Sequence, residues 1–188
     1  MHHQHWQIYG TEIRACFGRT NVRLVGRRRR RIQQLLKNCV LNDARVSGSV
    51  RYEKSGKPVL NGRYISITHS GNGAAAALAN LPVGIDMQEP DDRLLFLYPK
   101  FMHPSEYEDF STRRIDDLLR LWTAKESVYK WAGIPGLSLR RDIIIHPLKR
   151  DLAYAEIIPP GRSLRQALLK WWQFRGFTFC LTITGHYK

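Results

Sequence analysis

The sequence has few cysteines and no long apolar run, and these two absences exclude several classes of protein. Its 188 residues include three cysteines, which lie far apart. This number argues against a disulfide framework and favours a reducing compartment. The longest run of small apolar residues, 74–79, is far too short to cross a bilayer. The polar start lacks the apolar segment of a secretion signal, so we expect a cytoplasmic protein with no membrane partner.

Acidic residues are scarce as well. The chain has 30 Lys and Arg against 16 Asp and Glu, a formal charge of +14. A field of this sign attracts polyanions. The densest cationic run, 27–31, consists of five arginines, followed by apolar residues at helical spacing that predict a helix over 27–41. We expect some of these arginines to clamp a phosphate, and the alternative is a basic face that binds nucleic acid.

The apolar content of 43% is enough for a core, in one domain or in two small ones. The clearest helical pattern covers 114–132, with Gly133 as its C-terminal cap. Residues Ser105 and Glu108 predict a capping box for a shorter helix. The histidine-rich start, residues 2–5, is interpreted as a frayed end, and the alternative is a transition-metal site. Strands are predicted over 49–53, 63–68, 74–79, 83–87, 142–145, 153–157, 170–174 and 177–184, which makes the fold α+β.

Two segments carry residues suited to phosphate chemistry. The first, Gly84 to Gln88, ends a predicted strand, and alternation places Asp86 and Gln88 on one face. The second lies on the long predicted helix, where Glu126 and Lys130 share a face at i, i+4 spacing. Magnesium is usually held by one or two carboxylates together with phosphates and water. The two segments therefore predict a magnesium and phosphate site.

Lysines near such a site would neutralise charge on a phosphate. Lys125 and Lys130 are the candidates. We expect the stem of Lys125 to pack against apolar neighbours while its ammonium reaches the edge of the helix. The competing interpretation is that Glu126 and Lys130 form an ordinary surface pair, worth only ~0.3–0.5 kcal/mol.

Further motifs precede these segments in a fixed order. Residues 55–58 read Ser-Gly-Lys-Pro, and residues 64–71 read Tyr-Ile-Ser-Ile-Thr-His-Ser-Gly, followed by the alanine-rich run. Together with the two segments, this series resembles the 4'-phosphopantetheinyl transferases, in particular the single-chain class built from two similar subdomains. The resemblance covers 55–130 by its motifs and the flanks only in general character.

The resemblance implies an activity and its partners. Enzymes of this family transfer the phosphopantetheine arm of coenzyme A to a serine of an apo acyl or peptidyl carrier protein, and they release adenosine 3',5'-bisphosphate. Magnesium is the expected cofactor, and an acidic carrier protein is the expected partner of a monomeric enzyme. The fold implied is a pseudo-twofold pair of subdomains, 1–82 and 83–188, each a helix packed on a small, mostly antiparallel sheet.

The family's metal site carries over to three positions. By resemblance, Asp86 and Glu126 hold magnesium against the coenzyme A pyrophosphate, and Lys130 contacts phosphate. Many relatives have a second acidic residue where this chain has Gln88. An amide oxygen can ligate magnesium without adding charge, so Gln88 predicts weaker metal binding. Asp86, Glu126 and Lys130 are the predicted catalytic residues.

Coenzyme A contacts carry over to further positions. By resemblance, Lys57 of the Gly-Lys-Pro motif contacts coenzyme A, and His69 lies against its nucleotide with Thr68 beside it. By resemblance, one or more arginines of the run 27–31 hold the 3'-phosphate; Arg28 is our candidate, and the choice among the five stays open. Lys125 is a further candidate contact of the co-substrate.

Attack of a serine hydroxyl on a phosphoanhydride needs in-line positioning, charge neutralisation and a proton acceptor. Glu126 is the candidate acceptor, directly or through a metal-bound water, and both routes stay open.

Segment 101–114 combines aromatic residues with Arg113 and Arg114. It is either a docking surface for the acidic carrier protein or an ordinary surface helix.

Overall fold

The computed structural model describes residues 2–8, 11–19, 38, 51–52, 58–60, 63–158, 160–161 and 163–185. Within this part the strands form two antiparallel sheets. The first sheet has the order β1-β2-β6-β5-β4-β3. Its strands are β1 (His2–Ile8), β2 (Thr11–Arg19), β3 (Arg51–Tyr52), β4 (Pro58–Leu60), β5 (Arg63–Ser70) and β6 (Gly73–Ala79).

The second sheet has the order β7-β11-β10-β9-β8 and contains only strands that follow residue 82. These strands are β7 (Val83–Gln88), β8 (Ile143–Lys149), β9 (Leu152–Ile157), β10 (Arg165–Phe174) and β11 (Phe177–Thr184). The hairpin between β10 and β11 turns at Arg175 and Gly176, whose φ angles are 49° and 81°. Two successive positive φ values fit a two-residue turn whose twist matches that of the flanking strands.

Helical segments occupy the stretch between β7 and β8. Helix α1 (Leu94–Leu97) is followed by two 3-10 turns, Tyr98–Lys100 and Pro104–Tyr107, and by the long helix α2 (Ile115–Ala132). Helix α2 ends because Gly133 adopts a left-handed conformation, with a φ of 61°, and donates its N–H to the carbonyl of Tyr129. No helix in the described part of the chain is long and apolar enough to span a bilayer.

The core has two main parts. One lies between α2 and the second sheet, where Leu118, Leu121 and Val128 are fully buried. The other joins the two sheets: small side chains of β6, such as Ala75 and Ala77, pack with larger apolar residues of β7 and β11. The free thiol of Cys180 is also buried.

The α+β class and the antiparallel strands are confirmed, whereas the pseudo-twofold relation between subdomains is not. The strands change sheet between Ala79 and Val83, and a domain boundary there remains a prediction. The prediction of a frayed N-terminus was wrong, because His2–Ile8 is a strand paired with β2 along its whole length. The helix predicted over 27–41 lies outside the described residues.

The capping box was also placed wrongly. The residue whose side chain caps the 3-10 turn is His103 and not Ser105: its ring accepts a hydrogen bond from the backbone N–H of Ser105. The reciprocal acceptor is Glu106 and not Glu108: its carboxylate accepts from the backbone N–H of His103 at 2.7 Å. The pattern of residues was correctly recognised as a start signal, but Pro104 at the first helical position sets the start two residues earlier.

Candidate active site between β7 and helix α2

The site begins with a close approach between a strand and a helix. Gly84 of β7 packs directly against α2: a Cβ at this position would overlap the carbonyl oxygen of Ser127 and lie 2.8 Å from the amide nitrogen of Trp131. Only glycine permits this spacing. The absence of a side chain at Gly84 therefore brings the face of α2 that carries Glu126 and Lys130 next to the end of β7.

Asp86 and Lys130 meet across this approach. The Lys130 Nζ donates to Oδ1 of Asp86 at 2.7 Å and to the carbonyl oxygen of Ile85 at 3.2 Å. The Thr68 hydroxyl donates to the same Oδ1 at 2.8 Å. Asp86 is buried, and burying a carboxylate is costly unless it has such partners. Both of these side-chain bonds end on Oδ1, which leaves Oδ2 as the oxygen that could ligate a cation.

A row of hydroxyl groups on β5 holds the other side of β7. Ser66, Thr68 and Ser70 alternate along the strand, so their side chains share one face. The Ser66 Oγ accepts the N–H of Ile85 at 3.0 Å, and the Ser70 hydroxyl donates to Oε1 of Gln88 at 3.0 Å. With the bond from Thr68, three hydroxyls of the first sheet fix the strand that carries the site.

Glu126 is half-buried on α2 and has a raised pKa. Burial is the main cause, because it removes water from the charged carboxylate. The negative charge of Asp86 raises the pKa further, and the positive charge of Lys130 opposes the shift. The structure thus brings together three of the predicted residues, Asp86, Glu126 and Lys130, in one electrostatically coupled group.

The donor atoms of this group fit magnesium. Asp86 and Glu126 offer hard carboxylate oxygens, and the charge of Asp86 acts on Glu126. Gln88 offers an amide oxygen on β7, the strand that carries Asp86. No cluster of three or more His, Cys, Asp or Glu side chains suited to a metal occurs among the described residues. Two carboxylates are nevertheless as many as magnesium usually takes from a protein when phosphates and water complete its shell.

Lys125 lies elsewhere, contrary to the expectation that its ammonium reaches the helix edge. Its side chain is 0% exposed and contacts Oε2 of Glu106 at 2.8 Å. Its Nζ also donates to the carbonyl oxygens of Leu139 and Ile143, at 2.9 and 2.8 Å. Burial lowers the pKa of Lys125 to about 8, and the Glu106 charge opposes this shift. The apolar neighbours that suggested a packed stem enclose the whole side chain.

Glu106 is the residue that the sequence-based interpretation missed. It is 1% exposed and ties three segments together. Its carboxylate accepts from the amides of His103 and Ile145, at 2.7 and 2.8 Å, and pairs with Lys125. The signal was the spacing of His103, Pro104 and Glu106, which marks a capped helix start.

The remaining predicted residues fall into three groups. His69 is exposed on β5 beside Thr68. Lys57 and Arg28 lie outside the described residues. In segment 101–114, Phe101 and Phe110 are buried in the core and are not available for docking.

Comparison with known proteins finds similarity over the part of the chain that contains β7 and α2. Residues 82–163, which include β7 and α2, match the model of the 4'-phosphopantetheinyl transferase superfamily. A 4'-phosphopantetheinyl transferase of Bacillus subtilis is 32% identical over 128 residues, covering 65% of this chain and 57% of the relative. The 4'-phosphopantetheinyl transferase Sfp of Bacillus subtilis strain 168 is 30% identical over 126 residues, covering 65% and 55%.

A more distant relative, the 4'-phosphopantetheinyl transferase gsp of Aneurinibacillus migulanus, is 29% identical over 99 residues, covering 50% of this chain and 42% of the relative. The chain therefore spans little more than half the length of the two Bacillus subtilis relatives and less than half the length of the third. The matched region contains the strand and the helix that form the site. Over residues 82–163 the chain is therefore similar to the 4'-phosphopantetheinyl transferase superfamily, and these relatives are themselves 4'-phosphopantetheinyl transferases.

Proposed function

We propose that this protein transfers the 4'-phosphopantetheine arm of coenzyme A to a serine of an apo acyl or peptidyl carrier protein. The observation that carries the proposal is the contact between Lys130 and Asp86, 2.7 Å from Nζ to Oδ1. This contact joins the strand and the helix that the superfamily match includes. It supports a role for this carboxylate and this ammonium in holding a pyrophosphate together with a divalent cation.

In the proposed reaction the serine oxygen attacks the phosphorus that carries the pantetheine arm. A bond forms between this oxygen and phosphorus, the anhydride bond breaks, and adenosine 3',5'-bisphosphate leaves. Glu126 accepts the proton of the serine hydroxyl in this scheme, directly or through a water molecule. Its raised pKa suits that role, because a carboxylate is a better general base when its pKa approaches the working pH.

Lys130 stabilises the negative charge of the leaving phosphate. An ammonium group has three N–H donors, and two of them are directed to Asp86 and to the carbonyl of Ile85. The third remains for a phosphate oxygen. Because its other donors are fixed, the ammonium is oriented before substrate binds, which lowers the cost of reorganisation in the transition state.

Asp86, Glu126 and Gln88 are the residues that would hold magnesium. When bound, the ion would neutralise charge on the pyrophosphate. Thr68 contributes by donating its hydroxyl to Asp86, which gives the buried carboxylate a hydrogen-bond partner. We retain His69, Lys57 and Arg28 as coenzyme A contacts, whereas Lys125 is enclosed in the interior with Glu106 as its partner and is no longer proposed as a phosphate contact.

The partner and the setting complete the proposal. The net charge of +14 favours an acidic carrier protein and coenzyme A over neutral partners. A monomeric enzyme acting in the cytoplasm is the expected form. In segment 101–114 the exposed residues Tyr107, Arg113 and Arg114 remain as candidates for the docking surface.

The proposal is tested by intact-mass spectrometry of a carrier protein. Apo carrier protein, coenzyme A and magnesium, incubated with this chain, should yield a carrier heavier by one phosphopantetheine arm. Asp86→Ala should abolish the gain, whereas Asp109→Asn, which removes an exposed carboxylate outside the site, should leave it unchanged. Normal transfer by the Asp86→Ala protein would show that the site is wrongly assigned.

The alternative, a basic nucleic-acid-binding protein with a vestigial site, is not favoured by the relatives found. It predicts steeply salt-dependent binding of RNA or DNA that is indifferent to Asp86.

A further inference from the structure

A second group of cations surrounds a cavity that shares no lining residue with the proposed active site. The cavity measures about 690 Å³. It opens between the segment that joins α1 to the second 3-10 turn and the loop that precedes β8. Its lining residues are Pro99, Lys100, His103, Pro104, Ser138, Arg140 and Arg141. We call it the Lys100 cavity.

The charged residues that line the cavity are all cationic. Lys100, Arg140 and Arg141 are cationic, and none of the seven lining residues is acidic. The ion pairs found among the described residues involve none of these three side chains. These three side chains have no carboxylate partner within the described part of the chain. Cations around one cavity repel each other, and a bound anion would relieve that repulsion.

His103 adds a hydrogen-bond donor to this lining. Its Nδ1 accepts the amide N–H of Ser105 at 3.2 Å. A neutral imidazole that accepts at Nδ1 carries its proton on Nε2, so the other ring nitrogen is a donor. A donor suits an anionic oxygen.

Hydrogen bonds from the protein interior hold the two segments that form the cavity. Lys125 binds the carbonyl of Leu139 in one wall and Glu106 in the other, and Glu106 accepts from the amide of His103. The loop is braced further, because the amide of Ser138 donates to the Asp142 carboxylate at 2.7 Å. A cavity with such anchored walls keeps its shape without a ligand, which reduces the cost of binding.

We infer that the Lys100 cavity binds a small phosphate-bearing molecule, a site separate from the one proposed for coenzyme A. The volume is that of ordinary small-molecule sites. Neighbouring arginines favour phosphate, because each guanidinium can donate two parallel bonds to phosphate oxygens. The proline rings leave an apolar wall for the remainder of the molecule.

The test uses inorganic pyrophosphate with the full chain at constant ionic strength, in the presence of a chelator. Isothermal titration should detect two binding events. One should weaken about tenfold in the double variant Arg140→Gln/Arg141→Gln. The other should weaken in Lys130→Ala. The matched control, Arg113→Gln/Arg150→Gln, removes the same charge from exposed positions outside the cavity and should leave both events in place.

Amide chemical shifts locate the binding. Pyrophosphate should shift the amides of Ser138 and Arg141 in the wild type but not in the cavity double variant. Equal weakening by the control variant would mean a diffuse charge effect, and a single event abolished by Lys130→Ala would mean that the cavity is empty. Citrate that binds as tightly as pyrophosphate would overturn the phosphate assignment. None of these outcomes depends on carrier-protein transfer, so this inference and the proposed function fail separately.

Discussion

Lys130 and Asp86 are 44 residues apart in the sequence, and their side chains meet at 2.7 Å. The contact links helix α2 to the edge strand of the second sheet. It gives the buried carboxylate a counter-charge and orients the ammonium toward the end of β7. One contact therefore serves both the stability of the fold and the arrangement of the proposed active site.

Breaking this pair should cost stability. Lys130→Met leaves the Asp86 carboxylate buried with Thr68 as its remaining side-chain donor. Since the lysine is partly exposed to solvent, we expect a loss of only about 1–2 kcal/mol in the free energy of unfolding by urea. Asp86→Asn in the same background should recover part of that loss. Additive effects of the two substitutions would contradict a direct coupling.

Gly84 should tolerate no side chain. In Gly84→Ala the new methyl group would collide with the backbone of α2 at Ser127 and Trp131. Because backbone cannot move aside cheaply, unfolding should become easier by about 3 kcal/mol, and transfer activity should fall with it. Gly185→Ala is the matched control: its methyl group would meet the flexible end of Leu168. Thermal melting of the two variants checks the difference.

Glu126→Gln should stabilise the protein at neutral pH while abolishing transfer. The folded state raises the pKa of Glu126, so its protonated form is favoured by folding and its charged form is disfavoured. The wild type therefore loses stability as pH rises from the ordinary carboxyl range through the raised pKa. The amide does not titrate, so its melting temperature should exceed that of the wild type at pH 7, and the difference should shrink toward pH 4. A difference that grows toward low pH would contradict this assignment.

Lys125 and Glu106 should behave as a buried ion pair. Either Lys125→Met or Glu106→Gln should destabilise the fold by about 3–5 kcal/mol, because each leaves a buried group without its partner. Lys125→Met combined with Glu106→Leu removes both charges and should restore part of the loss. Urea unfolding of the three variants measures the loss of stability and its recovery. If Lys125→Met keeps full stability and loses coenzyme A binding instead, the lysine touches phosphate after all.

Local signals predicted the elements that local physics determines. Helix α2 was predicted to within one residue, since its apolar period and Gly133 both lie within the segment. Strand β11 was predicted correctly for a similar reason: a two-residue turn bounds it at Arg175 and Gly176. The alternating hydroxyls of β5 and the acidic end of β7 were also visible, although not their contact.

Contacts between distant segments were beyond sequence patterns. The N-terminal strands are held by β2 pairing with β6, and their histidine-rich composition gave no sign of it. Lys125 has apolar neighbours at helical spacing, which predicts burial, but its partner Glu106 lies in a short turn with weak periodicity. A buried lysine is understandable only when its counter-charge is known.

The row of hydroxyls on β5 has one more consequence. Each sheet's backbone ladder is confined to one side of the turn at Leu81 and Pro82, whereas Ser66, Thr68 and Ser70 reach β7 through side chains alone. A chain cut at that turn would keep both ladders whole. The two fragments would then associate through the apolar core that joins the sheets and through these hydroxyl bonds. Asp86, Glu126 and Lys130 lie in one fragment, and the other fragment would supply the bond from Thr68.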